Sequence, residues 1–404
     1  MNVEYIVVQA GGKGTRMKQM TYNKPKALVP INNLPMIFHL FRHFSEKKFI
    51  IIGDYKYEVL KQYLKAFAEV DYALINANGK QGTCAGIRDA INLIPENKAF
   101  MLIWSDLILS ERYQFPEKDG NYVGISKGFS CRWKFENGSF KEEKSREYGV
   151  AGHFIFEDKL QIQEVPEEGE FVRWLSERKI LFDTQDLTDT NEFGLAEDLS
   201  SLEVSKCRPF NRMIFQEDRV IKEPVDQQGK DLAVREIAWY EKIKNEGFRN
   251  IPIIYSTDPL VLERIRGKNI YEIDCSHEEK KKILKELISC LNKIHELEHS
   301  EVDEQSYYEA YIGKTFKRLE KVYDLVPFAH DKYITINNQK CLNVFFYKKE
   351  LENEIIKFMP QKFELIHGDC TFSNMMLRED GSPVMIDPRG YFGTTELLGD
   401  PAYD

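Results

Sequence analysis

Residues 366–374 read IHGDCTFSN and residues 384–390 read VMIDPRG, and these two strings decide the fold of the second half of the chain. Asp369 and Asn374 stand five positions apart in the first string. Asp387 follows the apolar residues of the second string, where a short strand is expected to end. Carboxylate and amide oxygens are the ligands that Mg²⁺ prefers. The two strings therefore supply three oxygen-bearing side chains of the kind that Mg²⁺ prefers.

The separation of Asp369 and Asn374 resembles that of the catalytic loop of protein kinases. The strings His-Gly-Asp and Ile-Asp-Pro, in place of His-Arg-Asp and Asp-Phe-Gly, resemble the aminoglycoside phosphotransferase and choline kinase family. This resemblance implies a protein-kinase-like α+β domain of two lobes that binds ATP. It also implies that Asp369 is the catalytic residue that receives the proton of an acceptor hydroxyl, while Asn374 and Asp387 hold Mg²⁺.

The residues upstream supply a lysine and a glutamate in the order that the same resemblance implies. Lys222 ends the second of two predicted antiparallel strands, and Glu236 lies in a helix predicted over residues 231–246. Lys222 is expected to contact the ATP phosphates, and Glu236 is expected to orient it. Glu223 is a competing partner for Lys222, and a plain surface position is the alternative for each residue. The resemblance also implies further helices after Asp404, so an apparently truncated domain is expected.

The first half of the chain opens with a β-branched run that ends in the glycine-rich loop AGGKGTR at residues 10–16. Backbone N–H groups in a loop of small residues can hold phosphate oxygens without a side chain in the way. Strand and helix patterns then alternate, which predicts an α/β fold with a Rossmann-like parallel sheet and flanking helices. The predicted elements are strands at 4–9, 49–52 and 99–104 and helices at 36–44 and 82–93.

The string GGKGTRM at residues 11–17, followed by KPKAL at residues 24–28, resembles the N-terminus of sugar-phosphate and phosphocholine nucleotidyltransferases. The resemblance implies that Arg16 and Lys26 are catalytic residues that neutralise the transferring phosphate, and that Asp106 holds Mg²⁺. A plain tight turn at the loop and a strand-ending turn at Asp106 are the structural alternatives. The residues that this resemblance assigns to the nucleoside triphosphate are Gly11, Gly12, Gly14 and Thr15.

Three weaker matches follow in the order of the same family. Asp186 aligns with the second metal-binding aspartate of an Asp-Ile-Gly-Thr pattern, and Asp183 or Asp189 could be that ligand instead. A solvated acidic loop is the alternative for this group. The other two matches are Gln81 and Gly82, which the resemblance assigns to the base and sugar of the nucleotide, and Glu143 and Lys144, which it assigns to the acceptor.

The composition limits the class of protein. A chain of 404 residues exceeds most single hydrophobic cores, so we expect two domains at 1–204 and 205–404, the second with lobes at about 205–266 and 267–404. The net charge of −9 argues against a nucleic-acid partner, and no apolar run is long enough to predict a membrane span. Seven scattered cysteines without a Cys-x-x-Cys pair are typical of a reducing compartment. We therefore expect a cytoplasmic protein whose metal is bound by oxygen.

A kinase that makes a phosphomonoester and a transferase that consumes one catalyse consecutive steps. The fusion predicts a bifunctional enzyme that converts X to X-phosphate and then to NDP-X with release of pyrophosphate, and a sugar destined for surface polysaccharide is the expected X. The expected cofactors are Mg²⁺, an NTP substrate for the first domain and ATP for the second. A choline or ethanolamine acceptor used with CTP is the alternative, and a non-catalytic nucleotide sensor is a third hypothesis. The sequence leaves a homo-oligomer open.

Overall fold

The computed structural model describes residues 1–194 and 210–404, which fall into two compact units, Met1–Ser205 and Lys206–Asp404. Each unit has hydrophobic clusters of its own, so each has a separate core. The predicted domain boundary between residues 204 and 205 lies outside the described residues. Within the described ranges, no helix is both long and apolar enough to cross a membrane.

Short strands and a few helices make up the described part of the N-terminal unit. Its helices are α1 (Met36–His43), α2 (Tyr57–Phe67), α3 (Ile87–Asn92) and α4 (Phe171–Ser176). Its strands are β1 (Val3–Gln9), β2 (Pro30–Ile31), β3 (Leu34–Pro35), β4 (Lys48–Gly53), β5 (Tyr72–Asn76), β6 (Ala99–Trp104), β7 (Leu107–Ile108), β8 (Tyr122–Ser126), β9 (Lys134–Glu136), β10 (Ser139–Lys141), β11 (Gly149–Phe156), β12 (Asp183–Asp186) and β13 (Asn191–Glu192).

A nine-stranded sheet organises this unit, and its path runs β10, β9, β11, β6, β1, β4, β5, with β8 paired to β11 and β12 paired to β8. Strands β6, β1, β4 and β5 are parallel, whereas β11 pairs antiparallel with β6. Hydrophobic clusters cover both faces of the sheet, which explains why β1 and β4 are apolar runs without alternation. The predicted α/β fold and the strands at 4–9, 49–52 and 99–104 are confirmed.

The helix predicted over 82–93 is shorter than expected, because α3 covers only Ile87–Asn92. Gly82 and Gly86 both have positive φ, at 88° and 78°, which no right-handed helix accommodates. A Cβ on Gly82 would lie 2.2 Å from the carbonyl oxygen of Gly169. A contact between loops that are distant in the sequence therefore replaces the first turns of the predicted helix.

The described part of the C-terminal unit combines small antiparallel sheets with longer helices. Its helices are α5 (Gln227–Asn245), α6 (His277–His295), α7 (Glu304–Tyr308), α8 (Lys314–Lys321) and α9 (Lys348–Ile355). Its strands are β14 (Asn211–Phe215), β15 (Arg219–Pro224), β16 (Ile254–Thr257), β17 (Leu260–Glu263), β18 (Gly267–Asn269), β19 (His299–Ser300), β20 (Tyr333–Ile336), β21 (Gln339–Leu342), β22 (Phe363–Leu365), β23 (Met375–Arg378), β24 (Pro383–Met385), β25 (Tyr391–Phe392), β26 (Thr395–Glu396) and β27 (Leu398–Gly399).

The first part of this unit is a four-stranded antiparallel sheet in the order β14, β15, β17, β16, against which α5 packs. The longest helix of the second part is α6, which starts with a capping box in which the Ser276 side chain accepts from the Glu279 N–H. Buried Leu287 and Ile294 on α6 join the core with Trp239 of α5. The α+β fold with two parts agrees with the predicted kinase-like architecture.

Candidate active sites

A cleft of about 350 Å³ opens at the carboxyl ends of the parallel strands of the N-terminal unit. Loops that follow parallel strands meet at one edge of a sheet, which is where open α/β sheets bind ligands. The loop after β1 and the residues after β4, β5 and β6 all reach this edge. The residues that line the cleft are Gln9, Gly11, Gly12, Gly14, Thr15, Arg16, Lys26, Asp54, Ala77, Lys80, Gly82, Thr83, Ala85, Trp104, Ser105, Asp106 and Gly194.

The glycine-rich loop after β1 has the backbone that small residues permit. Gly14 has a φ of 60°, and a Cβ there would lie 3.1 Å from the Cβ of Lys26. A Cβ on Gly11 would lie 2.9 Å from the Cβ of Asp54. The Lys26 N–H donates to the Gly12 carbonyl at 3.3 Å, which joins the loop to the Lys-Pro-Lys segment. The loop is thus held close against two neighbours and keeps its backbone open to the cleft.

Lys26 and Asp106 face each other in the cleft and form an ion pair. Their side chains are only 10% and 15% exposed, so the pair is largely removed from water. The Ser105 N–H donates to the carbonyl of Gln9 at 3.2 Å, which fixes the segment before Asp106 to the end of β1. A largely buried cation and carboxylate at the open edge of a sheet can interact with charged phosphates more strongly than exposed groups can.

A second loop forms the opposite wall and is tied to residues 168–171. The Cys84 N–H donates to the Gly169 carbonyl at 3.0 Å, and the Phe171 N–H donates to Thr83 Oγ1 at 2.8 Å. Gly82 and Thr83 line the cleft, whereas Gln81 contacts Glu168 through its backbone N–H at 3.2 Å and is not among the lining residues. The structure therefore brings Gly82 to the cleft with the glycine-rich loop.

In the C-terminal unit, three charged side chains form a continuous network. The Nζ of Lys222 lies 2.6 Å from Oε2 of Glu236 and also contacts Oδ1 of Asp387. Burial raises the pKa of the Glu236 carboxyl, and the Lys222 ammonium partly opposes this. Burial lowers the pKa of Lys222, but the two carboxylates more than offset it and raise that pKa. The competitor Glu223 pairs with Arg212 at 2.7 Å instead.

Asp369 lies in a loop whose backbone is fixed from several sides. The Asn374 Nδ2 donates to the Asp369 carbonyl at 2.9 Å and to its carboxylate at 3.3 Å. The ring of His367 contacts the Ile386 carbonyl through Nε2 at 3.1 Å, and burial lowers the pKa of this histidine. The Asp404 carboxylate accepts the N–H groups of His367 and Gly368, each at 2.7 Å. These contacts fix the position of the Asp369 loop relative to Asp387, which directly follows Ile386.

The two halves match two different protein families. Residues 5–168 match the family model described as nucleotidyl transferase, and residues 217–404 match that described as phosphotransferase enzyme family. The first unit carries a nucleotidyl transferase domain and the second a phosphotransferase-family domain.

Curated nucleotidyltransferases match parts of this chain. D-glycero-alpha-D-manno-heptose 1-phosphate guanylyltransferase of Campylobacter jejuni is 30% identical over 100 residues, or 24% of this chain and 45% of that protein. Glucose-1-phosphate cytidylyltransferase of Salmonella typhimurium is 42% identical over 60 residues, or 14% of this chain and 23% of that protein. The chain thus spans less than half the length of these relatives. The solved structure of HddC from Yersinia pseudotuberculosis covers 48% of this chain and 96% of its own, with a TM-score of 0.42 and 19% identity.

Besides Gln81, three residues predicted for the nucleotidyl transferase site are not among the residues that line its cleft. Glu143 pairs with Lys134 at 2.8 Å, and the hydrogen bond from that lysine lowers the pKa of Glu143. Lys144 is exposed on the segment that follows β10. Asp186 is 50% exposed and pairs with Lys127 at 2.6 Å. None of the three is among the residues that line the cleft, so their predicted roles stay predictions.

Glu192 is a candidate that sequence reasoning missed; it stands two residues before the cleft-lining Gly194 and is not itself among the lining residues. It pairs with Leu107 in the short ladder between β13 and β7, directly after Asp106, and the Phe193 N–H donates to the Asp106 carbonyl at 3.0 Å. A Cβ on Gly194 would lie 3.4 Å from Oε1 of Glu192 and 3.5 Å from Nη2 of Arg16. The signal was available, because Glu192-Phe193-Gly194 keeps the acid and the glycine of the Asp-Ile-Gly-Thr pattern.

Gln9 and Trp104 were also missed, because they precede the recognisable strings. They are paired residues on β1 and β6, so both side chains lie on one face of the sheet at the cleft. The Gln9 Nε2 donates to the carbonyls of Thr83 and Ala85 at 2.9 and 3.0 Å. Gln9 therefore connects the end of β1 to the wall that carries Gly82.

Both domains have oxygen donors that fit Mg²⁺, although among residues 1–194 and 210–404 no group of three or more His, Cys, Asp or Glu is arranged to hold a metal. Mg²⁺ is usually bound through one or two carboxylates together with substrate phosphates. In the nucleotidyl transferase domain, Asp106 and the neighbouring Glu192 could hold it. In the phosphotransferase-family domain, Asn374 and Asp387 could do so. Both sites would therefore suit an ion held jointly by these residues and substrate phosphates better than an ion held by the protein alone.

Proposed function

We propose that the chain is a bifunctional enzyme that makes a nucleotide-activated sugar for surface polysaccharide. The phosphotransferase-family domain would phosphorylate a sugar with ATP, and the nucleotidyl transferase domain would couple the sugar phosphate to an NTP and release pyrophosphate. The observation that carries this proposal is the Lys26–Asp106 pair beneath the glycine-rich loop, in a cleft that Arg16 also lines. The pair supplies a cation that can neutralise phosphate oxygens and a carboxylate that can hold Mg²⁺, and a transfer between phosphates requires both.

The chemical problem in the first domain is repulsion between two phosphate-bearing reactants. An oxygen of the acceptor phosphate attacks the α-phosphorus of the NTP, the bond from that phosphorus to the bridging oxygen breaks, and pyrophosphate leaves with the electron pair. Arg16 and Lys26 neutralise the charge on the transferring phosphate, and backbone N–H groups of Gly11, Gly12 and Gly14 bind the triphosphate. When bound at Asp106 and Glu192, Mg²⁺ supplies further charge neutralisation.

In the second domain, Lys222 would bind ATP phosphates while Glu236 holds its ammonium in place. The oxygen of the acceptor hydroxyl would attack the γ-phosphorus of ATP, and Asp369 would accept the proton of that hydroxyl. The bond from that phosphorus to the β-bridging oxygen breaks, and ADP leaves. Intact Asp106, Asp369, Asn374 and Asp387 support enzymatic activity over the hypothesis of a non-catalytic nucleotide sensor.

A sugar is favoured over choline or ethanolamine as the acceptor of the first domain. Both curated relatives described above are named for sugar 1-phosphates, and this supports a sugar phosphate here. Quaternary ammonium groups are recognised by several aromatic faces around the cation. Trp104 is the only aromatic residue that lines the cleft within the described part of the chain, so the cleft offers one face and no cage.

The proposal is tested by supplying the purified protein with Mg²⁺, each of the four NTPs and a panel of sugar 1-phosphates, with phosphocholine alongside. Pyrophosphate release with one sugar phosphate is expected. A second assay follows ADP release from ATP with free sugars and choline. A preference for phosphocholine would show that choline phosphate, and not a sugar phosphate, is the acceptor. If no combination of NTP and acceptor releases pyrophosphate, the proposed transferase activity is wrong.

A further inference from the structure

The two carboxylate oxygens of Asp369 have partners on different sides. Asn374 donates to Oδ2 at 3.3 Å, and Nη2 of Arg389 lies 3.3 Å from Oδ1. The side chains of Asp369 and Arg389 are both 21% exposed. Asn374 belongs to the side proposed for Mg²⁺ and the nucleotide. Arg389 therefore marks the other side of the base, where an acceptor must approach.

Two cations on that side share a single neutral partner. Nη1 of Arg389 donates to the hydroxyl of Tyr403 at 3.1 Å, and Nζ of Lys314 donates to the same oxygen at 2.9 Å. Within residues 210–404, Lys314 forms no ion pair with a carboxylate, and it is partly buried at the start of α8. Arg389 is also paired with Asp369, so Lys314 is the cation at this oxygen whose charge an added anion would neutralise.

The groups that would recognise a cationic acceptor are engaged elsewhere. The Asp400 carboxylate accepts from the hydroxyl of Tyr311 at 2.8 Å and from a backbone N–H in its own turn, and Asp404 is bound to the catalytic-loop backbone. The ring of Tyr403 has Lys314 Nζ at 5.4 Å from its centroid. The ring of Tyr391 has the guanidinium of Arg235 at 4.6 Å. A cation of the protein thus already lies over each of these two rings, the kind of position that a quaternary ammonium would take.

We propose that the acceptor of the phosphotransferase-family domain carries an anionic group, a carboxylate or a phosphate, close to the hydroxyl that is phosphorylated, and that Arg389 and Lys314 bind this group. The inference rests on the kinase function proposed above. The planar guanidinium of Arg389 matches either anion through two parallel hydrogen bonds, and Lys314 adds a point charge. The hydroxyl of the same molecule then lies next to Asp369, which takes its proton.

The test compares acceptors that differ only in charge: a neutral hexose, the corresponding uronic acid, the hexose phosphate and choline. ADP release is measured for wild type, Lys314→Met and Lys317→Met. Lys317 lies on the same helix, is 73% exposed and pairs with Glu309, so its substitution is the matched control. We expect wild type to prefer an anionic acceptor, and Lys314→Met to lower its kcat/KM about tenfold or more, mainly through KM. Comparing the rate with the uronic acid and the rate with the hexose phosphate shows whether the bound group is a carboxylate or a phosphate.

Binding of the same four compounds in the presence of Mg-ADP is followed by calorimetry, which separates this inference from the kinase function on which it rests. No turnover with any acceptor would contradict the kinase function, whereas the binding preference would still test the anion site. A wild-type preference for the neutral hexose or choline would overturn the inference. An equal effect of Lys314→Met on neutral and anionic acceptors would overturn it as well.

Discussion

The two candidate sites are built in different ways. The nucleotidyl transferase cleft collects single residues from loops that are distant in the sequence, such as Gly14, Gly82 and Asp106, and five of its lining residues are glycines. The phosphotransferase-family site is a network of side-chain contacts that joins Lys222, Glu236 and Asp387. Backbone position thus controls the first site and charge balance controls the second. Steric changes should therefore damage the first site most, and changes of charge should matter at both.

The largest effect is expected at the Lys26–Asp106 pair. Asp106→Ala and Lys26→Ala should each lower pyrophosphate release by on the order of a hundredfold or more, because each removes a charge that the transferring phosphate needs. Steady-state kinetics of pyrophosphate release check this. Lys61→Ala is the control, since Lys61 is 52% exposed and pairs with its helix neighbour Glu58. Near-normal turnover in both cleft variants would show that the pair is structural.

A smaller loss, about tenfold to a hundredfold, is expected for Glu192→Ala, since it removes one of two carboxylates beside the proposed metal. Asp186→Ala is the comparison, because Asp186 pairs with Lys127 and lies on β12, whereas Glu192 lies in the β7–β13 ladder beside Asp106. The Mg²⁺ concentration for half-maximal rate should rise in Glu192→Ala and change little in Asp186→Ala. The reverse result would assign the second ligand to Asp186, as the sequence pattern predicts.

A still smaller loss, about tenfold in kcat/KM for the NTP, is expected for Gly82→Ala. Its new Cβ would lie 2.2 Å from the Gly169 carbonyl oxygen and push the two loops apart. Gly79→Ala is a matched control, because Gly79 also has a positive φ, 76°, but a Cβ added there would meet no described atom within 4 Å. Both variants bear the cost of a positive φ, about 1 kcal/mol. Equal kinetics in the two would show that strain, and not the loop contact, governs the cleft.

Short-range patterns in the sequence predicted the structure well where neighbours decide it. The strand predicted at 4–9 contains one continuous apolar run, and the Asp369–Asn374 loop lies within one string. Glu192 was missed because its place depends on the pairing of β13 with β7, far apart in the chain. The prediction that the helix starts at residue 82 was wrong, also because a contact between distant segments of the chain decides the structure there. Only the packing of the Gly82 loop against Gly169 shows why no helix forms there.

The smallest expected effect is that of Asp369→Asn on the nucleotidyl transferase reaction, which should stay within about twofold of wild type while phosphoryl transfer is lost. The cores are separate: the clusters around Phe100 and Met101 contain residues of the first unit only, and that around Trp239 contains residues of the second only. Asparagine keeps the size of the side chain, so the loop contacts with Asn374 and Arg389 should change little in geometry. Pyrophosphate and ADP release are measured on the same preparation, with circular dichroism to verify folding. A folded Asp369→Asn variant that loses both reactions would indicate that the two units share one catalytic machinery, and the comparison of two independent sites would then fail.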